Sequence, residues 1–217
     1  MFRTRLLSGL FIAVLAVTFS VTLGSAQAHP HVWIDLKSKI EFDKDGRITG
    51  LEIDWTFDEF YTAFVITESG GPKAMDQKRL TGIGRENIAN LREFDYFTEF
   101  LVDGERQNFA APEAFEMSLQ DGKLRLRFSV PLETPLVPGD HRINYAVFDP
   151  SYYVEILHVA DGHHLPSGSG PSACKTALIK PNPTTEALTL ADSLDRLDTA
   201  PESFGALFAE RVHLECS

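Results

Sequence analysis

His29 and His31 carry the most specific chemistry in this chain: two imidazoles separated only by Pro30, in the stretch His29-Pro30-His31-Val32-Trp33-Ile34-Asp35. If the chain is cut just before His29, that residue also offers a free α-amine, and metal-ligating nitrogens gather at one chain end. An x-x-His terminus ordinarily chelates copper or nickel through the amine, two deprotonated amides and the third-position ring. Pro30 has no amide hydrogen to lose, so that four-nitrogen plane is closed off here. The His29 amine, the His29 ring and the His31 ring remain, with the proline stiffening their spacing. Imidazole suits zinc, copper, nickel and iron, so ligand type alone does not choose among them. A carboxylate would complete such a site, and Asp58, Asp149 and Asp54 are the candidates, with Asp35 beside them. Each has an alternative reading as a strand-face or turn-capping residue, because Asp is common in turns.

The expected cut follows from residues 1–28. Arg3 and Arg5 open the chain, an apolar stretch runs from Leu6 to about Leu23, and Ala26 and Ala28 give the small-x-small pattern of a cleaved export signal. The expectation is a leader over 1–28, a single domain over 29–217, and a periplasmic location without stable membrane insertion after cleavage. Removing 28 residues from 217 leaves 189, enough for a substantial core. With Arg3 and Arg5 gone, 18 basic residues face 31 acidic ones, a formal charge of −13. That balance argues against nucleic acid or anionic lipid as partner and favours attraction of cations. Cys174 and Cys216 are the only cysteines. An even pair in an exported chain predicts one disulfide.

The elements that must position these residues are legible as alternation. From Val32 to Phe42 apolar and polar residues alternate, Asp43-Lys44-Asp45-Gly46 supplies a turn, and Arg47 to Phe57 alternates again. The two strands are expected to pair antiparallel, with Glu52, Asp54, Thr56 and Asp58 on one face of the second. Helical spacing follows, through Phe60, Phe64 and Val65 and then Ile88, Leu91 and Phe94, interrupted at Ser69-Gly70-Gly71-Pro72. Tyr96–Val102 reads as a strand. Ala114–Leu119 and Leu124–Val130 form a hairpin whose apolar residues, Leu119 among them, are expected to face inward. Pro131–Gly139, with its three prolines, predicts a loop. His141–Phe148 and Tyr152–Val159 are strands around Asp149-Pro150-Ser151, and Asp161–Pro171 reads as a mobile loop bearing His163 and His164. Cys174–Lys180 is a strand, Thr184–Asp198 a helix, Glu202–Phe208 a loop or brief helix, and Arg211–Cys216 a closing strand. The fold class predicted is α+β, mainly antiparallel sheet in a sandwich-like arrangement, with a helical insertion and a C-terminal helix.

No Gly-x-Ser-x-Gly, His-Glu-x-x-His or phosphate-binding glycine loop occurs. His141, His158 and His213 stand alone on strands, where packing or surface roles are expected.

Four segments taken together resemble a bacterial family of unknown function. They are the opening heptad from His29, Asp54-Trp55-Thr56-Phe57-Asp58-Glu59, Phe94-Asp95-Tyr96-Phe97, and Asp149-Pro150-Ser151-Tyr152-Tyr153. That family is commonly labelled the periplasmic component of an uncharacterised ABC-type transport system, and the resemblance covers essentially the whole chain after the leader. It implies a periplasmic protein linked to divalent-metal traffic, working with a membrane metal transporter or permease. The expectation is therefore a metallochaperone or accessory transport component rather than an enzyme. The alternatives are a copper oxidase using the same histidines and a non-metal interaction subunit of a transporter.

Overall fold

The computed structural model describes residues 30–160, 174–194 and 200–216. Residues 1–29 and 161–173, and with them His29, His163 and His164, lie outside the described residues. The fold is α+β with mostly antiparallel strands, as the alternation predicts. Strand β1 (Val32–Phe42) buries Val32, Ile34, Leu36, Ser38 and Ile40 and turns the residues between them outward. It folds back on β2 (Ile48–Phe57) in an antiparallel pair that sets Ile34 opposite Phe57. The turn is held by Asp43, whose Oδ1 accepts from the backbone N–H groups of Asp45 and Arg47, both at 2.9 Å.

Helix α1 (Glu59–Glu68) and helix α2 (Gln77–Leu91) follow, and then β3 (Thr98–Val102), the two-residue β4 (Glu105–Arg106), β5 (Phe115–Gln120) and β6 (Lys123–Leu136). The chain closes with β7 (Ile143–Val147), β8 (Val154–His158), β9 (Lys175–Ile179), α3 (Thr185–Ser193) and β10 (Arg211–Glu215). Two five-stranded sheets result, ordered β5-β6-β2-β1-β8 and β4-β3-β7-β10-β9. One apolar cluster spans both: Leu36, Ile53 and Leu126 from the first sheet pack with Phe100, Tyr145 and Val212 from the second. The disulfide forms between Cys174 and Cys216 and ties the start of β9 to the end of β10.

Three local expectations are corrected. The strand β6 runs through Pro131 to Leu136 instead of ending in a loop, because Pro131 lies at a register shift opposite Gly50, where the ladder asks least of it. Gly50 makes that shift possible: a Cβ there would lie 2.4 Å from the Val130 carbonyl oxygen. Leu119 is exposed rather than inward, one residue before the Gln120-Asp121-Gly122-Lys123 turn. The strand expected from Tyr96 begins at Thr98, because Asp95, Tyr96 and Phe97 form a left-handed turn with φ of 50°, 57° and 56°. Such backbone costs roughly 1–2 kcal/mol per residue. It is held by burial of Tyr96, by the Asp95–Arg106 ion pair at 2.9 Å and by the Phe148 N–H donating to the Phe97 carbonyl at 2.8 Å. Finally, β8 lies parallel to β1, pairing Val32 with Val154 and Leu36 with His158, a long-range choice that alternation cannot show.

Candidate functional site

Parallel pairing of β1 and β8 sets the position of His31. Its backbone N–H donates to the Tyr153 carbonyl at 2.8 Å, and its ring tilts onto the Tyr153 ring at 4.7 Å between centroids. The imidazole is half-buried at one wall of an open groove of about 300 Å³, completed by Val32, Phe60, Tyr61, Phe64 and Tyr153. Helix α1 supplies three of those side chains. Its sequence, Glu-Phe-Tyr-Thr-Ala-Phe-Val-Ile-Thr-Glu, is apolar nearly all round, and the face that packs inward is Tyr61, Thr62 and Val65. Phe60 and Phe64, read as part of the helix from their spacing, point out, 83% and 59% exposed. Tyr61 stacks on Phe57 at 4.9 Å, and burial, reinforced by the charge of Asp58, raises its phenol pKa above the ordinary value.

Asp58 fixes the groove to the strand. Its Oδ1 accepts from the Phe60 and Tyr61 N–H groups at 2.7 and 2.9 Å, capping α1, and its Oδ2 accepts from the Trp33 N–H at 2.9 Å. Asp149 does the equivalent for the turn leading into β8. Its Oδ1 accepts from the Ser151 N–H and hydroxyl, both at 2.8 Å, and its Oδ2 from the Val154 N–H at 3.0 Å. Each carboxylate thus spends one oxygen on two donors and gives the other a single donor, which leaves one acceptor direction on Oδ2. Asp54 is engaged differently. It lies on the outer face of the first sheet, opposite Lys37 in the ladder, and takes two hydrogen bonds from the Arg125 guanidinium, one from Nε at 2.6 Å and one from Nη2. Donating to Asp54 raises the Arg125 pKa above its ordinary value. Asp35, on the outer side of β1, is exposed.

The four segments singled out in the sequence come together at this end of the sandwich. His31 binds Tyr153, Trp33 binds Asp58, Trp55 lies 6.2 Å from Phe97, and Phe97 accepts from Phe148. Tyr152 and Tyr153 then diverge. Tyr153 lines the His31 groove, while Tyr152 stacks on Phe208 at 3.9 Å within a second apolar cluster that includes Ala187, Ala191 and Phe204. Gly205 holds that cluster against the turn: its N–H donates to the Pro150 carbonyl at 3.0 Å, and a Cβ would lie 1.8 Å from the Asp149 carbonyl oxygen. Backbone meets backbone there, so Gly205→Ala is expected to cost about 1–3 kcal/mol and to disturb the Tyr152–Phe208 stack. Thermal denaturation and near-ultraviolet circular dichroism measure both, and an unchanged melting curve would show that this docking is loose.

Among the described residues no three His, Cys, Asp or Glu side chains converge closely enough to hold a metal ion. His31 reaches its groove two residues after His29. Sequence reasoning missed Tyr153, Tyr61 and the outward phenylalanines; the double tyrosine was visible only as a motif. It also missed the environment of His158, which is buried on Glu210 and Ser38 rather than standing alone. His141 bonds Asp103 at 2.6 Å near the surface, and His213 is exposed on β10.

The chain belongs to the family described as protein of unknown function DUF1007, whose family model matches residues 14–216. It is 28% identical over 210 residues to an uncharacterised protein of Haemophilus influenzae, covering 92% of this chain and 98% of that one. An uncharacterised 15.5 kDa protein from the trpE 3′ region of Spirochaeta aurantia is 27% identical over 111 residues, 48% of this chain and 69% of that one. No solved structure matches the chain. Among the described residues no helix is long and apolar enough to cross a membrane.

Proposed function

We propose that this DUF1007 protein is a periplasmic carrier of a divalent transition metal, a metallochaperone or accessory component serving a membrane metal transporter. The metal, zinc, copper, nickel or cobalt, is cargo. His29, through its amine and ring, and His31 are the primary ligands. The observation that carries the reading is the seat of His31: an imidazole on an open groove, two residues after His29, with Asp58 and Asp149 organising the turns on either side. Asp58 and Asp149 suit the role of completing carboxylate better than Asp54, whose two oxygens both face Arg125. The acidic balance of the chain favours cation capture.

Ligand deprotonation gives the reading a direction in pH. An α-amine with a reference pKa of about 7.7–8.0 and imidazoles of about 6.5 must lose protons before they bind. Affinity for zinc, copper or nickel is therefore expected to fall on acidification from pH 8 to about pH 6. Calorimetric titration of the chain beginning at His29 measures this. His31→Ala is expected to weaken binding at least about tenfold, the lower end of what losing even an outer-shell partner of a metal site costs. One alanine added before His29 displaces the amine. Undiminished affinity in that variant removes the amine from the ligand set, and undiminished affinity in both variants rejects the site.

A second reading, the interaction subunit, draws on the outward Phe60 and Phe64, since a contiguous exposed aromatic face at a groove marks contact surfaces. Partner binding that survives chelator and the loss of both histidines would favour it over the metal reading.

A further inference from the structure

A second cavity opens at the same end of β1, between the outer face of the β1–β8 pair and helix α3. It encloses about 330 Å³ and is lined by Pro30, Trp33, Tyr152, Glu155, Leu188 and Asp192, with Ala191 and Phe208 behind them. The parallel ladder sets Trp33 directly beside Glu155, and the Trp33 indole is 46% exposed. Leu188, on α3, is 48% exposed. Tyr152 is held by its stack on Phe208, and its hydroxyl donates to Glu155 Oε1 at 3.3 Å. Burial, and after it the charges of Glu155 and Asp192, raise the Tyr152 pKa, so the phenol stays a donor and both carboxylates lie within electrostatic reach of it. Among the described residues no Lys or Arg lines the cavity. Asp35, two residues beyond Trp33, adds a third carboxylate on the same strand face.

An indole wall, an apolar side and a carboxylate rim together define a class of ligand. Anions are repelled, and a neutral apolar molecule makes no use of the charge of Glu155. A bare metal ion gains nothing from the aromatic and leucine surface, and among the described residues no three metal-binding side chains converge here. A primary ammonium on an apolar stem uses every wall: the charge lies toward Glu155 and Asp192, the stem along Leu188, and the cation meets the electron-rich face of the indole. The volume is at the small end of ligand cavities, about 300–1,000 Å³, which suits one such group rather than a large molecule.

We propose that this cavity binds the ammonium group of a primary alkylamine, whether a free amine or a lysine side chain presented by a partner. The site is separate from the His31 groove, so it stands or falls independently of the metal reading. Trp55 is 2% exposed, which leaves Trp33 as the tryptophan that reports on added ligand. The probes are n-butylammonium chloride and N-acetyl-lysine-N-methylamide, titrated in the presence of EDTA at constant ionic strength, with n-butanol and sodium chloride as controls. A saturable change in tryptophan emission is expected with the ammonium probes, in the millimolar range or tighter, and not with the controls. Glu155→Gln keeps the size of the side chain and an oxygen to accept the Tyr152 hydroxyl, and is expected to raise the dissociation constant at least about tenfold. If that variant melts well below the wild type, Asp192→Asn at the exposed rim carries the same test. Binding of both probes supports a free amine as sufficient, whereas binding of the lysine derivative alone supports a protein partner as the source. Absence of saturation, equal binding of n-butanol, or an undiminished response in a folded carboxylate variant overturns the proposal.

Discussion

Replacing Glu210 by alanine is expected to cost about 2–6 kcal/mol of folding stability, because two buried donors lose their acceptor at about 1–3 kcal/mol each. Glu210 is 4% exposed and precedes β10. Its Oε2 accepts from the His158 backbone N–H at 2.7 Å and lies 3.1 Å from His158 Nδ1. From the other ring nitrogen the chain continues to Ser38 Oγ at 2.8 Å and from there to the Tyr145 hydroxyl at 2.8 Å. The carboxylate end sets the first step, since a carboxylate only accepts. Nδ1–H of His158 donates to the Glu210 carboxylate, and the path runs on through the other ring nitrogen to the Ser38 and Tyr145 hydroxyls, each of which can donate or accept. This path crosses the core from β8 and β1 in one sheet to β7 and the start of β10 in the other. Alanine removes the terminal acceptor from both His158 donors in a region of low dielectric, where the loss is felt most. Urea denaturation measures the effect, and an unchanged midpoint would show that the path carries no stability.

The same residue gives a pH dependence with a definite sign. Burial disfavours the Glu210 carboxylate, but the hydrogen bonds from the His158 ring and backbone, with the nearby charges of His158 and Lys180, outweigh it and hold the pKa below the ordinary 4.5. The folded chain therefore binds this proton more weakly than the unfolded chain. Its contribution is fully present above the unfolded pKa and is lost as pH falls through the folded one. Glu41 runs the other way, since burial raises its pKa and its contribution grows in acid. Comparing wild type with Glu210→Gln isolates the Glu210 part. The gap between them at pH 7 is expected to narrow progressively below about pH 4.5, and a gap independent of pH would assign the stabilisation to shape rather than charge.

What could be read from the sequence divides along a physical line. The hairpins were legible because each buries one face, and a period of two fixes which residues do so. Val32, Ile34 and Leu36 pack inward as alternation requires. Helix α1 was legible as a helix but not in its orientation, because its apolar residues occupy several faces and only tertiary packing selects Tyr61 and Val65 over Phe60 and Phe64. The left-handed turn at Asp95-Tyr96-Phe97 carries no glycine to announce it. The candidate site was legible only in part. His31 and Asp58 come from local motifs, whereas Tyr153 joins them through a parallel pairing that brings β8 back beside β1 from far along the chain. The contact between Ser38 and His158 spans 120 positions, and a lone histidine in an alternating strand gives no sign of such a partner.

Loss of the disulfide is expected to have an effect of similar size to loss of Glu210, with a different spatial signature. Cys174 and Cys216 are separated by 42 positions, and closing a loop of that span contributes about 4 kcal/mol by restricting the unfolded chain. The loop holds α3, Phe204 and Phe208, whose apolar cluster is separate from the main core and takes in Tyr152 from the turn before β8. Replacing both cysteines by alanine avoids a stray thiol and is expected to lower stability by that amount. The opening should begin in the smaller cluster, where few buried apolar residues oppose it. Hydrogen exchange at the Gly205 and Phe208 amides is therefore expected to accelerate more than exchange at Leu36 or Ile53 in the main core. Equal urea midpoints for the oxidised protein and the double variant would show that native strain cancels the loop-closure term. Uniform acceleration across both clusters would show instead that the C-terminal segment opens only together with the sandwich. In that case Tyr152, and the cavity it shares with Trp33 and Glu155, keeps its shape for as long as the fold does.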